Sequence, residues 1–318
     1  MSVALLFSPQ GSQAVGMGRS LAEVEPAARA VFDAADRTMD WPVSDLAWNG
    51  PEERLNDTRW TQPALLTASV AALEALRARL DPAPAFVAGH SVGEYAALVA
   101  AGVLAFDDAL RLVALRGELM ASVPGGGGMV AVIGLERETV QRAVGAVASP
   151  AVLVVANDNA PGQVVLSGSA AALAAADEAL RAAGARRLIP LKVSGAFHSP
   201  QMAPVGDALA RAFDSVEWRD ATVPVVSNVT AEPEHGAARL RALLAEQVRS
   251  PVEWLASVRR MVDEGVETFI ECGPGGALTG MVRRIAPGAR TLNVADGDSL
   301  EATVRALSGS PARASVRA

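Results

Sequence analysis

The first candidate for chemistry is Ser91, the central residue of the sequence GHSVG at positions 89–93. This sequence fits the pattern G-x-S-x-G and lies between a predicted buried strand (residues 85–88) and a predicted helix (94–101). A sharp strand-to-helix turn exposes the serine hydroxyl, and the N–H of the following residue, Val92, can stabilise an oxyanion. The serine could instead serve only as a helix cap. The strand-turn-helix context favours a nucleophile.

A serine nucleophile needs a base, and the sequence holds three histidines. His90 is adjacent to the serine, so its side chain should leave the tight turn in another direction, and His235 lies in a polar loop. His198 precedes Ser199 and Pro200, a pair typical of a helix start. The nearby helix N-terminus would keep the imidazole neutral, as a base requires. A structural histidine at a loop corner is the alternative, and elimination favours His198 as the base.

A third candidate is Arg116, which lies among apolar residues of a predicted helix, residues 107–122. An arginine directed inward suggests a bound carboxylate or phosphate, because its planar fork pairs with either group. Its stem could equally pack on apolar surface while its head stays in water. Taken alone, the sequence favours this second interpretation.

The composition excludes several classes of protein. The chain has 318 residues, of which 50% are hydrophobic and 20% charged, so it is not intrinsically disordered. Its net charge of -7 does not fit a nucleic-acid-binding protein with a generally basic surface. Three histidines and one cysteine, Cys272, leave little material for a zinc site and exclude an internal disulfide.

Export and membrane insertion are not expected either. The N-terminus has no basic leader. The longest uncharged apolar stretch, residues 96–106, is about half of the roughly 20 residues that span a bilayer. We therefore expect a cytoplasmic protein with no metal and with neither nucleic acid nor membrane as a partner.

Two regions are separated by a run of four glycines, residues 125–128. The first region contains predicted strands at residues 3–7 and 85–88, with helices around 20–39, after Thr61-Gln62-Pro63, and at 94–101 and 107–122. Residues 129–193 then predict the order β-α-β-β-α-β, which is the ferredoxin-like unit. Later helices (200–213, 237–248, 252–264 and 278–285) and strands (223–227 and 268–271) return to the first pattern. The sequence predicts an α/β fold with a large domain (1–124 and 195–318) and an inserted subdomain (125–194).

The motifs together resemble malonyl-CoA:acyl carrier protein transacylases and the acyltransferase domains of fatty acid and polyketide synthases. The matching segments follow in family order and are Gln10-Gly11-Ser12-Gln13, Thr61-Gln62-Pro63-Ala64-Leu65, residues 89–94, Arg116-Gly117, Ala196-Phe197-His198-Ser199, Ser227-Asn228 and Gly273-Pro274-Gly275 with Leu278-Thr279-Gly280. They extend from near residue 7 to about residue 285. The resemblance implies an α/β-hydrolase-like large domain with a ferredoxin-like insert.

The resemblance also implies roles for individual residues. Ser91 would be acylated and His198 would be its base, oriented by a backbone carbonyl at Gln247 rather than by an aspartate. The other implied roles are an oxyanion hole at Gln10 and the N–H of Val92, a partner for the malonyl carboxylate in Arg116, and substrate-binding positions at Phe197, Gln62 and Asn228. One departure is visible, because the family reads Phe-Pro-Gly-Gln-Gly where this chain has Phe7-Ser8-Pro9-Gln10-Gly11.

The implied reaction is ping-pong transfer of a malonyl group from malonyl-CoA to the phosphopantetheine thiol of an acyl carrier protein. It needs no cofactor, and we expect a monomer. The carrier could belong to fatty acid or polyketide synthesis. Arg283-Arg284 and Arg186-Arg187 with Lys192 are candidates for its docking patch, and the sequence alone favours simple solvation for each. The alternatives are another extender unit, a thioesterase or esterase that uses water as acceptor, and a non-catalytic scaffold subunit.

Overall fold

The computed structural model describes residues 2–124, 126–145, 147 and 152–309. Gly125, the first glycine of the predicted boundary, lies outside this range. The strands are β1 (Val3–Phe7), β2 (Phe86–Gly89), β3 (Gly128–Ile133), β4 (Leu153–Ala160), β5 (Gln163–Gly168), β6 (Arg187–Pro190), β7 (Val225–Val226), β8 (Pro233–Glu234), β9 (Thr268–Cys272) and β10 (Arg290–Val294).

The helices complete the α/β pattern. They are α1 (Arg19–Val24), α2 (Pro26–Thr38), α3 (Val43–Asn49), α4 (Glu52–Leu55), α5 (Thr58–Arg79), α6 (Gly93–Ala100), α7 (Phe106–Ala121), α8 (Arg137–Gly145), α9 (Ala170–Ala182), α10 (Ala203–Ala212), α11 (Ala237–Gln247), α12 (Trp254–Asp263), α13 (Ala277–Ile285) and α14 (Gly297–Ser308). Within the described ranges, none of these helices combines the length and the hydrophobicity that a bilayer crossing requires.

The larger sheet has the order β10-β9-β1-β2-β7-β8 and is parallel except for β8. Its central strand β1 is buried on both faces, because Val3, Leu5 and Phe7 pack in one hydrophobic cluster and Ala4 and Leu6 in another. A continuous apolar run is typical of such a strand, which helices cover on both sides. The sheet therefore forms the core from which the site residues project.

The smaller sheet is antiparallel and has the order β4-β5-β3-β6. Helices α8 and α9 pack on it through a separate apolar cluster that includes Val132, Val164 and Leu166. In chain order its elements follow β-α-β-β-α-β. Strand β4 also contacts the rest of the chain, because the N–H of Val252 donates to Ala156 O at 2.8 Å.

Several element boundaries differ from the sequence prediction. The helix expected after Pro63 begins at Thr58, because the Asp57 side chain accepts a hydrogen bond from Arg59 N and caps it there. The helix predicted from residue 252 begins at Trp254, since Val252 pairs with strand β4 instead. The strand predicted to residue 193 ends at Pro190. Strand β10 and helix α14 were not predicted at all.

Candidate active site

The site lies where neighbouring parallel strands end. Strand β1 pairs with β2 so that Phe7 is opposite Gly89, and β2 pairs with β7 so that Ala88 is opposite Val226. The loops that follow these strands carry Gln10, Ser91 and Asn228. The carboxyl edge of an open parallel sheet is the usual place for a ligand, and the topology brings these loops together at that edge.

Ser91 occupies a tight turn that requires small residues on each side. Its φ of 55° is left-handed, which is strained for a residue with a side chain. A Cβ at Gly89 would lie 1.9 Å from Gly93 O, and one at Gly93 would lie 2.2 Å from Phe7 O. Asn228 fixes the turn, since its Oδ1 accepts from Ser91 N at 2.7 Å and its Nδ2 donates to Gly89 O at 2.6 Å. The strain is therefore held by packing and by one amide side chain.

His198 contacts the serine directly. Its Nε2 lies 2.8 Å from Ser91 Oγ, and its Nδ1 lies 3.0 Å from Gln247 O and 3.1 Å from Ser250 O. Because both carbonyls can only accept, the proton belongs on Nδ1, and Nε2 is free to accept the serine proton. Burial, and next the charge of Arg116, lower the pKa of His198 to about 3. The imidazole is therefore neutral at neutral pH, as a general base must be.

The other two histidines have different partners. His90 is buried with its Nε2 2.8 Å from Asn159 Oδ1, and its ring centroid lies 5.4 Å from that of Trp254. His235 Nδ1 lies 3.1 Å from Ala221 O. Neither ring hydrogen-bonds to the nucleophile.

Arg116 lies in the interior with only 1% of its surface exposed. Its Nη1 donates to Gln62 Oε1 at 2.7 Å, while its Nη2 donates to Ser91 Oγ at 3.1 Å and to Gln247 Oε1 at 3.0 Å. Its Nε is buried and has no hydrogen-bond partner among the described residues. Burial lowers the pKa of the guanidinium. The cation is thus held only by neutral groups, beside the nucleophile, and the interpretation with its head in water is wrong.

The close packing of α7 against the start of α5 places this arginine. A Cβ at Gly117 would lie 2.8 Å from Thr58 O, so only glycine allows the two helices to approach this closely. The same approach brings Arg116 to Gln62, which is fully buried on α5. The glycine at position 117 therefore allows the helix contact that places the neighbouring Arg116 in the site.

The backbone N–H of Val92 has no acceptor among the residues that the structure describes, so it is available to an oxyanion. Gln10, on the loop after β1, donates from Nε2 to Thr58 Oγ1 at 3.0 Å. The departure from the family pattern at Ser8 adds a contact, because Ser8 Oγ donates to Glu271 Oε1 at 3.3 Å. This bond ties the loop that carries Gln10 to the end of β9.

A cavity of about 450 Å³ opens at Ser91. Its lining includes Gln10, Ser91, Phe197 and His198 from the predicted set, together with Met120, Met129, Val165, Val193, Asn157, Asn159 and Lys192. The remaining predicted residues (Val92, Arg116, Gln62, Gln247 and Asn228) are buried and do not appear in this lining. In the structure Gln62 and Asn228 contact Arg116 and the serine turn respectively.

Sequence reasoning assigned no role to three groups that contact the site residues or the adjacent His90. Glu94 accepts a hydrogen bond from Gln247, Ser250 offers a second carbonyl to His198, and Asn159 contacts His90. Glu94 lies in the family-matching segment 89–94, one helical turn after Ser91. The other two depend on long-range contacts that no local pattern reveals.

Comparison with known proteins decides the family. Residues 4–297 match the acyl transferase domain family. The chain belongs to this family. The resemblance drawn from the motifs is therefore confirmed, and the protein is an acyltransferase.

The acyltransferase is similar over nearly its whole length to curated relatives. It is 44% identical over 308 residues to the malonyl CoA-acyl carrier protein transacylase of Bacillus subtilis (strain 168), which covers 96% of this chain and 97% of the relative. The corresponding protein of Escherichia coli (strain K12) is 43% identical over 284 residues, 89% of this chain and 92% of that one.

Solved structures agree in fold. The acyl carrier protein S-malonyltransferase of Vibrio cholerae O1 superposes with a TM-score of 0.92 at 40% identity, over 95% of this chain and 100% of that chain. A malonyl-transacylase in complex with its type II polyketide synthase acyl-carrier protein gives 0.93 at 40% identity, over 98% and 100%. The α/β fold class is thereby shown.

Proposed function

We propose that this acyltransferase moves a malonyl group from malonyl-CoA to the phosphopantetheine thiol of an acyl carrier protein, through a malonyl ester on Ser91. The single observation that carries the choice of acyl group is the position of Arg116. Its guanidinium is buried, has no anionic hydrogen-bond partner among the described residues, and lies 3.1 Å from the serine oxygen that would hold the acyl group. The names of the relatives support the same choice.

In the first half-reaction His198 Nε2 takes the proton of Ser91 Oγ, and the oxygen attacks the thioester carbonyl carbon. The carbonyl oxygen becomes an oxyanion beside the N–H of Val92 and the Gln10 loop. The intermediate then breaks its C–S bond, and His198 returns the proton to the CoA sulfur. A malonyl ester remains on Ser91, with its carboxylate within reach of Arg116.

In the second half-reaction the phosphopantetheine thiol gives its proton to His198 and its sulfur attacks the ester carbon. The C–O bond to Ser91 breaks, and the serine oxygen recovers the proton from His198. Gln247 O and Ser250 O hold the imidazole in one orientation throughout, so the same nitrogen serves both directions. These steps balance with protein groups alone, and we propose no cofactor.

The network suggests supporting roles for two predicted substrate-binding residues. Gln62 would position Arg116, and Asn228 would keep the serine turn in its strained shape. Phe197, which is buried and lines the cavity, would limit the bulk on the acyl group. A methyl-branched extender unit should therefore react more slowly than malonyl.

We propose that residues 1–124 and 195–318 form an α/β-hydrolase-like domain and residues 125–194 a ferredoxin-like insert. The strand order β4-β5-β3-β6 and the β-α-β-β-α-β connectivity support this division. We also propose a monomeric cytoplasmic enzyme. The single cysteine, Cys272, supports a reducing compartment, since the chain has no second cysteine with which to form an internal disulfide.

The proposed function is tested by following the acyl group to its acceptor. The enzyme is incubated with malonyl-CoA and a holo acyl carrier protein, and the masses of the carrier and the release of malonate are measured together. We expect a malonylated carrier in excess of malonate. Malonate in excess, with an unmodified carrier, would indicate a hydrolase, and neither product would indicate a scaffold.

A further inference from the structure

Glu94 is a buried carboxylate that the proposed reaction does not use. It lies in the first turn of α6 with 2% of its surface exposed. Its Oε2 accepts from Gln247 Nε2 at 2.6 Å, and its Oε1 accepts from Asn228 N at 3.3 Å. A carboxylate is costly to bury, so its presence beside the reacting residues needs a reason.

The Gln247 side chain lies between this carboxylate and the buried arginine. Its Nε2 donates to Glu94 Oε2, and its Oε1 accepts from Arg116 Nη2 at 3.0 Å. A carboxylate accepts hydrogen bonds and a guanidinium donates them, so the two ends of the amide can point only one way. One amide thus joins an anion to a cation.

No carboxylate hydrogen-bonds to Arg116 directly among the described residues, since its partners are Gln62, Gln247 and Ser91. The carboxylate that interacts electrostatically with it is Glu94. Without a bound acyl group, the Arg116 charge is therefore balanced by Glu94 through the Gln247 amide. Toward Ser91, the guanidinium contacts only a neutral hydroxyl.

We propose that Glu94 sets the acyl specificity of the site by acting as the internal counter-charge of Arg116, in competition with the carboxylate of the bound acyl group. This proposal rests on the proposed malonyl function. When Glu94 is ionised, a malonyl carboxylate becomes the second anion on one cation and is held less tightly. When Glu94 is neutral, Arg116 is uncompensated and holds malonyl more tightly.

The surroundings of Glu94 make this competition sensitive to pH. Burial raises the pKa of Glu94 to about 7, although Arg116 opposes the shift. The titratable neighbours are Arg116 from α7, Tyr95 on α6, whose pKa burial raises, and His198, which contacts the backbone carbonyl of Gln247 and is neutral. The other groups that face Glu94 are the uncharged amides of Gln247 and Asn228. Near neutral pH, Glu94 is thus the group here whose charge changes.

The direction of the effect follows from linkage. A second anion raises the pKa of a carboxyl group, so malonyl binding should be accompanied by proton uptake at Glu94. As the pH rises through about 7, Glu94 loses its proton and the KM for malonyl-CoA should increase. The carboxyl of malonyl itself is ionised throughout this range, because an unperturbed carboxyl titrates near pH 4.

Glu94→Gln is the matched substitution, since it keeps the size and an oxygen acceptor for Gln247 but removes the charge. Malonyl-CoA and acetyl-CoA kinetics are measured between about pH 6 and pH 8.5. At pH 8.5 we expect the malonyl-CoA KM of Glu94→Gln to be about tenfold lower than that of the wild type. A tenfold factor corresponds to a difference of about one unit in the pKa of Glu94 between the free and the malonyl-bound enzyme. The KM should no longer increase with pH, and the malonyl-to-acetyl ratio of kcat/KM should rise.

Glu25→Gln is the control, because Glu25 is also buried and ionic but pairs with Arg79 at 2.7 Å, on another part of the chain. It should retain the wild-type profile. A Glu94→Gln protein that acylates Ser91 and still shows the wild-type pH dependence of KM would overturn the proposal. Failure of the proposed function is distinguishable, since the wild type would then form no malonyl-serine.

A second measurement covers the case in which Glu94→Gln does not fold. Malonyl-CoA is titrated into the Ser91→Ala protein by calorimetry in two buffers of different ionisation enthalpy at pH 7. We expect uptake of up to about half a proton for malonyl-CoA, and none for acetyl-CoA. Equal uptake for the two ligands, or none for malonyl-CoA, would overturn the proposal.

Discussion

Removal of the Arg116 guanidinium should abolish the preference for malonyl over acetyl groups that we propose for this enzyme. In Arg116→Ala the carboxylate of a malonyl ester would lie in a buried site without its cation. Truncating one partner of a desolvated charge pair costs about 2–5 kcal/mol. That energy corresponds to a loss of roughly 30-fold to 4,000-fold in kcat/KM for malonyl-CoA.

Acetyl-CoA has no carboxylate, so its kcat/KM should hold or rise in the same variant. The cavity would then no longer adjoin a buried cation that the acetyl group cannot pair with. The assay is the ratio of malonyl to acetyl transfer to a holo carrier protein, from kcat/KM for both donors. The ratio should fall by at least the factor lost for malonyl-CoA alone.

Two further variants make the result specific. Arg116→Lys should recover only part of the malonyl activity, because an ammonium cannot reproduce the planar fork. Arg111→Ala changes an exposed arginine on the same helix that pairs with Asp108, and it should leave the ratio unchanged. An unchanged ratio in a folded Arg116→Ala protein would refute the reasoning and make the arginine structural.

Three other results are expected. His198→Ala should lower the rate of Ser91 acylation by about 10⁴-fold to 10⁶-fold in a folded protein, and His235→Ala should not; a larger effect at His235 would show that the base is wrongly assigned. Because the pKa of His198 is lowered to about 3, the base stays neutral at acid pH. The acylation rate at saturating malonyl-CoA, measured by stopped flow, should therefore stay constant as the pH falls through 6.5. A decline with a midpoint near 6.5 would contradict this. Gly117→Ala should destabilise the protein by about 1–3 kcal/mol in urea unfolding, since the added Cβ would lie 2.8 Å from Thr58 O, and an unchanged midpoint would mean that the two helices separate easily.

The nucleophile and base could be predicted because local rules determine them. Ser91 lies in a strand-turn-helix pattern whose glycines are required by contacts of 1.9 Å and 2.2 Å, and the pattern is visible in sequence. His198 followed by elimination from only three histidines. The family resemblance then supplied Gln247, whose carbonyl no composition or spacing argument could have selected.

The electrostatics of the site could not be predicted in the same way. From sequence alone Arg116 is more typical of a solvated arginine, and its burial follows from the approach of α7 to α5 at Gly117. Glu94 lies in the recognised motif, but its contact with Gln247 joins residues 153 positions apart. Long-range contacts of this kind fix charge and pKa, and they emerge only once the chain is folded.

Helix starts and terminal elements were also beyond the sequence patterns. Proline suits a first helical turn, so Pro63 suggested a helix start, yet the Asp57 cap begins α5 earlier and Pro63 lies inside the helix. Strand β10 is only partly buried, with Val294 its one buried residue, and it was not among the elements predicted from sequence.

The most direct test of the account is to locate the acyl group after a single turnover. Wild-type enzyme and Ser91→Ala are mixed with malonyl-CoA, quenched in acid, digested and mapped by mass spectrometry. We expect a malonyl group on the peptide that contains Ser91 in the wild type, its loss when holo carrier protein is added before the quench, and no adduct in Ser91→Ala. A malonyl adduct on another residue, or wild-type transfer rates in Ser91→Ala, would contradict it.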